Sequence, residues 1–256
     1  LGIRFLLTGT IGILINNIFF NKIKLNRNNW KFILLFGICQ NTLYLGLNFL
    51  AMDKIDAYLA VIIASLLPVF VAIISFFLRI DKLHFFSVIG IIVGFLGCSI
   101  ILAPKITVNL NFYGLSLCII AVIALAMATL IIKDGFSYKE QLLPFVSIQM
   151  IVGGLPLLLL SFLFEEWVIN FSNSFIIAFI YTCFFPGLIA TMIWFNLVKR
   201  IGVIMASSFH FLTPPTGVII AYIVLNERIN INDIIGIIFI TIALTIIHQA
   251  KKMAKN

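Results

Sequence analysis

The sequence predicts an all-α integral membrane protein: a helical bundle of nine transmembrane helices, ten when complete, built as two five-helix repeats of inverted topology. Three observations lead there. Hydrophobic residues make up 62% of the chain and charged residues 10%, with a mean hydropathy of +1.20; soluble domains are roughly 45–50% apolar and about 25% charged. Apolar runs of about 20 residues, long enough to cross about 30 Å of hydrocarbon, recur along the whole length. The third observation is an internal repeat. Leu67 to Gly97 (LPVFVAIISFFLRIDKLHFFSVIGIIVGFLG) returns without a gap, 146 residues later, as Thr213 to Ala243 (TPPTGVIIAYIVLNERININDIIGIIFITIA). Pro68 falls on Pro214, Asp81-Lys82 on Glu227-Arg228, and Ile89-Gly90-Ile91-Ile92 on Ile235-Gly236-Ile237-Ile238; upstream, Phe49 falls on Phe195 and Ile55 on Ile201. A fixed-period repeat decides architecture before any single residue does.

The spans follow in order. Gly2 to Phe20 is apolar apart from Arg4, Asn16 and Asn17, and has no positively charged n-region of a signal peptide before it. Phe32 to Met52, Ala57 to Leu78, His84 to Ala103, Phe112 to Ile132, Leu142 to Phe164, Ser174 to Val198, Gly202 to Leu225 and Ile231 to His248 complete the set. Without water in the hydrocarbon, each must satisfy its backbone internally as a helix. Nine is odd, and the 146-residue offset projects the span Phe112 to Ile132 to positions ahead of Leu1. The expectation is a chain short of one helix, with residues 1–103 as the first repeat lacking its first helix and residues 104–256 as the second repeat with a short basic tail. Five spans per half make the two halves run in opposite directions.

The net charge of +8 sets topology rather than binding nucleic acid. Lys22, Lys24, Arg27, Lys31, Arg79, Lys82, Lys133, Lys139, Lys199, Arg200, Lys251, Lys252 and Lys255 fall on one side of the expected membrane; only Arg4, Lys54, Lys105 and Arg228 fall on the other. Lys and Arg accumulate in short cytoplasmic loops. The C-terminus is therefore expected in the cytoplasm, and in a bacterium the membrane is the inner one. Trp167, beside Glu165 and Glu166 in an external loop, reads as an interfacial anchor. Cys39, Cys98, Cys118 and Cys183 stand singly in apolar runs, without metal spacing, and read as packing residues.

An apolar helix carrying a proline, an acidic turn (LNER at 225 to 228) and a following helix with an early glycine (IIGIIF at 234 to 239) resembles the EamA family of the drug/metabolite transporter superfamily. So does the earlier copy, SLLPVFVAII at 65 to 74 with Gly90, Gly94 and Gly97, and the opening LGIRFLLTG resembles that family's second helix. Asp81 departs from the usual Glu of the turn. The resemblance implies secondary transport of small metabolites, amino acids among them, by alternating access around a site between the repeats. It implies no catalysis, cofactor or metal, and a monomer or homodimer in the lipid bilayer. A nucleotide-sugar or other metabolite carrier of the same superfamily, or a non-transporting membrane scaffold, is the alternative.

Polar residues within spans mark the expected substrate path, because they turn from lipid toward the bundle interior. Gln40, Tyr44 and Asn48 stand at i, i+4 and i+8, on one helical face, with Asn41 beside them. Their repeat partners include Pro186, Gly187 and Trp194, with Thr191 on the face of Trp194. His210, Thr213, Pro214 and Gly217 share another face, and Ser65 with Pro68 forms the equivalent pair in the first half. Gln40, Asn41, Tyr44, Asn48, Ser65, Thr191, Trp194, His210 and Thr213 are the expected substrate contacts; Pro68, Pro186, Gly187 and Pro214 are the expected hinges. Proline frees the carbonyl four residues earlier, which for Pro214 is that of His210 and suggests a ligand site. All nine carboxylates fall in or beside loops, leaving no intramembrane acid to bind a cation or exchange a proton. Almost no Lys or Arg lies within the spans, which favours a neutral or zwitterionic solute over a phosphate-bearing one. HExxH, GxSxG and clustered carboxylates are all missing, which argues against an enzyme.

Overall fold

The structure, a computed structural model, describes residues 1–19, 27–80, 83–106, 111–135, 142–166, 171–226 and 228–253. Lys22, Lys24, Asp81, Lys82, Lys139, Glu140, Trp167, Glu227 and Lys255 lie outside them. Among the described residues there is no strand, and nine helices are long and apolar enough to cross a membrane: α1 Gly2–Phe19, α2 Trp30–Met52, α3 Ala57–Phe77, α4 Phe85–Lys105, α5 Phe112–Lys133, α6 Leu142–Phe164, α7 Asn173–Ile201, α8 Val203–Val224 and α9 Ile231–Met253. At 1.5 Å per residue even the shortest, at 18 residues, reaches about 27 Å. Phe77 and Phe162 are 77% and 75% exposed, as suits side chains that meet acyl chains rather than water. The protein is a multi-pass membrane protein.

The chain forms two compact units: Leu1–Gly46 with Ile131–Arg200, and Leu47–Leu130 with Ile201–Asn256. Each unit draws on both halves of the sequence. The boundary runs through α2, whose last residues belong to the second unit.

In the second unit α4 packs along α9 through small residues. A Cβ on Gly97 would lie 2.9 Å from the Gly236 carbonyl, one on Gly236 would lie 2.6 Å from the Gly97 carbonyl, and one on Gly90 would lie 3.0 Å from the carbonyl of Ala243. The early residue of each helix meets the late residue of the other, so the pair is antiparallel. The repeat maps Gly90 onto Gly236 and Gly97 onto Ala243, so it converts each of these contacts into the other. Equivalent helices that touch antiparallel at exchanged positions are related by a two-fold axis lying across them, in the membrane plane. That is an inverted-topology repeat.

The first unit is built the same way. Gly9 of α1 faces Ser147 and Ile151 of α6, while Gly154 of α6 faces Phe5 of α1, again antiparallel. α2 runs parallel to α6: a Cβ on Gly37 would lie 2.5 Å from the Gln149 carbonyl oxygen, and one on Gly46 would lie 2.7 Å from the Leu157 side chain. Phe195 of α7 closes the unit, its ring 4.8 Å from that of Phe36 and 5.2 Å from that of Phe145; all three are fully buried.

Helix ends follow local rules. Arg79 and Asn226 both adopt φ 54, a left-handed conformation that terminates α3 and α8. Gly202, at φ 78, turns α7 directly into α8, where glycine carries no steric cost. The Lys199 ammonium donates to the Lys133 carbonyl at 2.8 Å, capping the end of α5.

Overpacking predicts the cost of disturbing the two-fold pair. Gly236→Leu should destabilise the second unit by about 1–3 kcal/mol, lowering the melting temperature in detergent by several degrees. Gly217→Ala, where an added Cβ meets nothing within 4 Å, should leave it unchanged or slightly higher. Equal melting temperatures for the two variants would contradict this account of α4 and α9.

Candidate functional site

Four helices depart from α geometry, at repeat-equivalent places. α2 widens into a π-helical turn at Ile38–Leu45 and α7 at Cys183–Ile189, the latter containing Pro186 and Gly187. α3 breaks into turns at Ser65 and Leu66, just ahead of Pro68, and α8 tightens into a 3₁₀ segment, Phe209–Leu212, just ahead of Pro214. Of the residues expected as hinges, Pro186 and Gly187 sit within an interruption, and Pro68 and Pro214 directly after one. Wide turns inside helices concentrate at functional sites. The carbonyl of His210, expected to be freed by Pro214, accepts the Thr213 N–H through the tighter turn.

Gln40, Asn41, Tyr44, Thr191 and Trp194 all belong to the first unit. Asn41 is 2% exposed and donates through Nδ2 to Oε1 of Gln149 at 2.7 Å and to its backbone carbonyl at 3.3 Å. Its amide thus joins α2 to α6. The neighbouring hydroxyl of Thr42 does the same, donating to the Gly153 carbonyl at 2.8 Å. Gln149 is 0% exposed, and its Nε2 is buried with no hydrogen-bond partner, as is Oε1 of Gln40. Gln149 and Gln40 thus leave a buried amide donor and a buried amide acceptor with unused capacity, alongside the buried Nε of Arg4. Gln40, Tyr44, Thr191 and Trp194 are half-buried.

Gln149 is the residue that sequence reading missed. A lone amide in the run PFVSIQMIVGG was the available signal, and its position deep within α6 makes it as costly there as Gln40 is in α2. Arg4, also in this unit, has its guanidinium carbon 5.3 Å from the Phe5 ring centroid, and its backbone carbonyl accepts the Thr8 hydroxyl at 2.7 Å.

The remaining predicted contacts lie in the second unit. Asn48, expected on the stripe with Gln40 and Tyr44, is separated from them by the boundary within α2; its Oδ1 accepts the Cys118 thiol at 3.4 Å. Ser65 is buried and donates to Val61 of its own helix at 2.9 Å. His210 is half-buried and Thr213 exposed, with Gly217 one turn further on. Asp233 amends the reading of the carboxylates. It stands in the first turn of α9, beside the loop as expected, but within the span and only 1% exposed. Its Oδ1 is 3.4 Å from the Lys105 ammonium, and its Oδ2 accepts the Asn230 N–H at 2.9 Å.

Paired helix interruptions, antiparallel equivalent helices and buried amides are features that a membrane carrier would use. The sequence profile of the EamA-like transporter family matches residues 1–103 and 112–249. The chain belongs to the EamA-like transporter family. The EamA-like relatives include the uncharacterized transporter YvbV of Bacillus subtilis, 23% identical over 255 residues, covering 99% of this chain and 83% of that protein. An uncharacterized transporter of Buchnera aphidicola is 27% identical over 246 residues, covering 93% and 79%. A solved crystal structure superposes with a TM-score of 0.82 at 16% identity, covering 96% of this chain and 85% of the other; it shares the EamA-like fold. Among the described residues no group of three His, Cys, Asp or Glu could hold a metal ion.

The Asn41–Gln149 pair should be strongly coupled. Asn41→Leu and Gln149→Leu should each destabilise, Asn41→Leu by about 1–3 kcal/mol because buried acceptors lose their donor. The double variant should cost clearly less than the sum of the two. Strict additivity in a double-mutant cycle would remove the interhelical role of Asn41.

Proposed function

We propose that this transporter moves a small neutral or zwitterionic solute, an amino acid or related metabolite, by alternating access, with export as the net direction. The reading rests on one observation above all: the interior of the first unit offers a buried amide donor, Gln149 Nε2, and a buried amide acceptor, Gln40 Oε1, both with spare capacity. A solute carrying an acceptor at one end and a donor at the other meets both requirements. Gln40, Tyr44, Thr191 and Trp194, and in the second unit Asn48, His210 and Thr213, are the proposed contacts; Asn41 and Ser65 act by holding the neighbouring backbone. Pro68, Pro186, Gly187 and Pro214 are the proposed hinges, since Pro186 and Gly187 stand within a turn that has left α geometry and Pro68 and Pro214 stand directly after one.

Export follows from energetics. A carrier without a coupling ion runs down the solute gradient, so a metabolite concentrated in the cytosol leaves. The one buried acid among the described residues, Asp233, is already committed to Lys105 and to a helix cap, which supports exchange or uniport over proton coupling. The placement of Lys and Arg supports a cytoplasmic C-terminus, and in a bacterium residence in the inner membrane.

Counterflow into proteoliposomes of the full-length protein tests this. An amino acid or related zwitterion should exchange saturably and indifferently to a pH gradient. His210→Ala and Gln40→Leu should each lower kcat/KM about tenfold, as expected for the loss of about 1.4 kcal/mol of binding. Transport confined to nucleotide sugars would reject the substrate class, stimulation by the gradient would reject uncoupled exchange, and no transport of any solute would favour a scaffold.

A further inference from the structure

The two ends of the α4–α9 pair, both within the second unit, carry different chemistry. At one end Asp233 pairs with Lys105. The 146-residue offset maps Asp233 onto Ser87 and Lys105 onto Lys251, so at the other end a neutral serine takes the place of the carboxylate. Lys251 there donates to the carbonyl of Ile201. The last turn of α9 carries Lys252 as well, and its side chain is exposed.

Beside these cations the surface is hollow. Phe86 and Ile89 of α4 and Ile246, Gln249, Ala250 and Met253 of α9 line a groove of about 300 Å³. Five of the six are apolar, and Gln249 is the polar exception. His84 stacks on Phe86, ring centroids 5.5 Å apart, fixing one wall. The groove lies where α4 begins and α9 ends, at the ends of two membrane spans.

We propose that this groove binds one anionic phospholipid of the surrounding bilayer, its acyl chain on the apolar wall and its phosphate on the Lys252 side. The two parts of the lipid contribute differently. Acyl chains are as apolar in the bilayer as in the groove, so the groove fixes position and adds little selectivity. Selectivity comes from charge: a Lys near the membrane surface favours anionic lipid by about fivefold in affinity. At the opposite end of the pair Asp233 already supplies the negative charge. Here it is supplied from outside the chain.

Native mass spectrometry of the full-length protein, with phosphatidylglycerol and phosphatidylcholine of matched chains, tests the proposal. Phosphatidylglycerol should be retained about fivefold over phosphatidylcholine. Lys252→Gln, a surface change that should leave the melting temperature alone, should abolish that preference, and Ile246→Trp, which fills the groove, should reduce retention of both lipids. Equal retention of the two lipids by the native protein would overturn the proposal, as would a preference untouched in both variants. Crosslinking of two copies through Gln249→Cys would assign the groove to a second chain.

Discussion

Gly97 and Gly236 let two helix backbones approach within a distance that no side chain would allow, and the second unit depends on that approach. Between helices in lipid there is no hydrophobic gain to be had, because acyl chains are as apolar as leucine; association comes from van der Waals packing and from hydrogen bonds. Both reward close approach. Small residues at the crossing therefore do what a leucine core does in water. The exchange of Gly90–Ala243 for Gly97–Gly236 under the repeat then ties this local contact to the global symmetry, since it fixes where the two-fold axis passes. The first unit repeats the arrangement at α1 and α6 with Gly9 and Gly154. Both units thus hold a pair of repeat-equivalent helices packed antiparallel.

The same lack of water makes the interruptions in α2, α3, α7 and α8 informative. Each unmade backbone hydrogen bond in hydrocarbon costs several kcal/mol, so irregular backbone persists only where substitute partners exist. Here they do. The Gly46 N–H reaches the Asn41 carbonyl across the wide turn of α2, the Ala190 N–H reaches that of Phe185 in α7, and the Thr213 N–H closes on His210 in α8. The helices change pitch without leaving these groups bare. Such a segment can exchange one set of partners for another at small cost, which a continuous α-helix cannot. That two kinds of irregularity each recur across 146 residues argues that they belong to the fold and not to a local accident of sequence.

Much of this was legible in the sequence, and what was not has a physical reason. Span positions were readable because the bilayer imposes a length: α6 begins and ends at Leu142 and Phe164, as read from hydropathy. Inverted topology was readable because five is odd. Gln40, Tyr44 and Asn48 were grouped from an ideal helix, whereas α2 leaves one unit and enters the other after Gly46, and nothing in a periodicity records which neighbours a helix has. The wide turns were invisible for a related reason. Pro186 hinted at one of them, but the turn at Ile38–Leu45 contains neither proline nor glycine, and its pitch reflects what it packs against. Gln149 was passed over because it stands alone in an apolar run, where it lacked the repeated spacing that drew notice to α2. Its importance comes from meeting Asn41, a contact 108 residues away in sequence.

Asp233 shows how a duplicated unit acquires two different ends. An isolated carboxylate at this depth would be costly; Lys105 pairs with Oδ1, and a further hydrogen bond on Oδ2 helps offset that cost. The Asn230 N–H makes that bond, from the residue just ahead of α9; the carboxylate also lies at the positive end of the helix dipole. One side chain therefore caps a helix, neutralises a lysine and joins α4 to α9. In the equivalent first turn of α4 the cap is made by the His84 imidazole, which accepts the Phe86 N–H at 3.4 Å, and Ser87 stands where the acid would be. With the cap supplied by histidine, the carboxylate is no longer needed for the helix. That frees the charge balance of this end of the pair to be set by what lies next to the protein, whereas the other end carries its own counterion. The symmetry of the backbone survives while the electrostatics of its two membrane faces diverge.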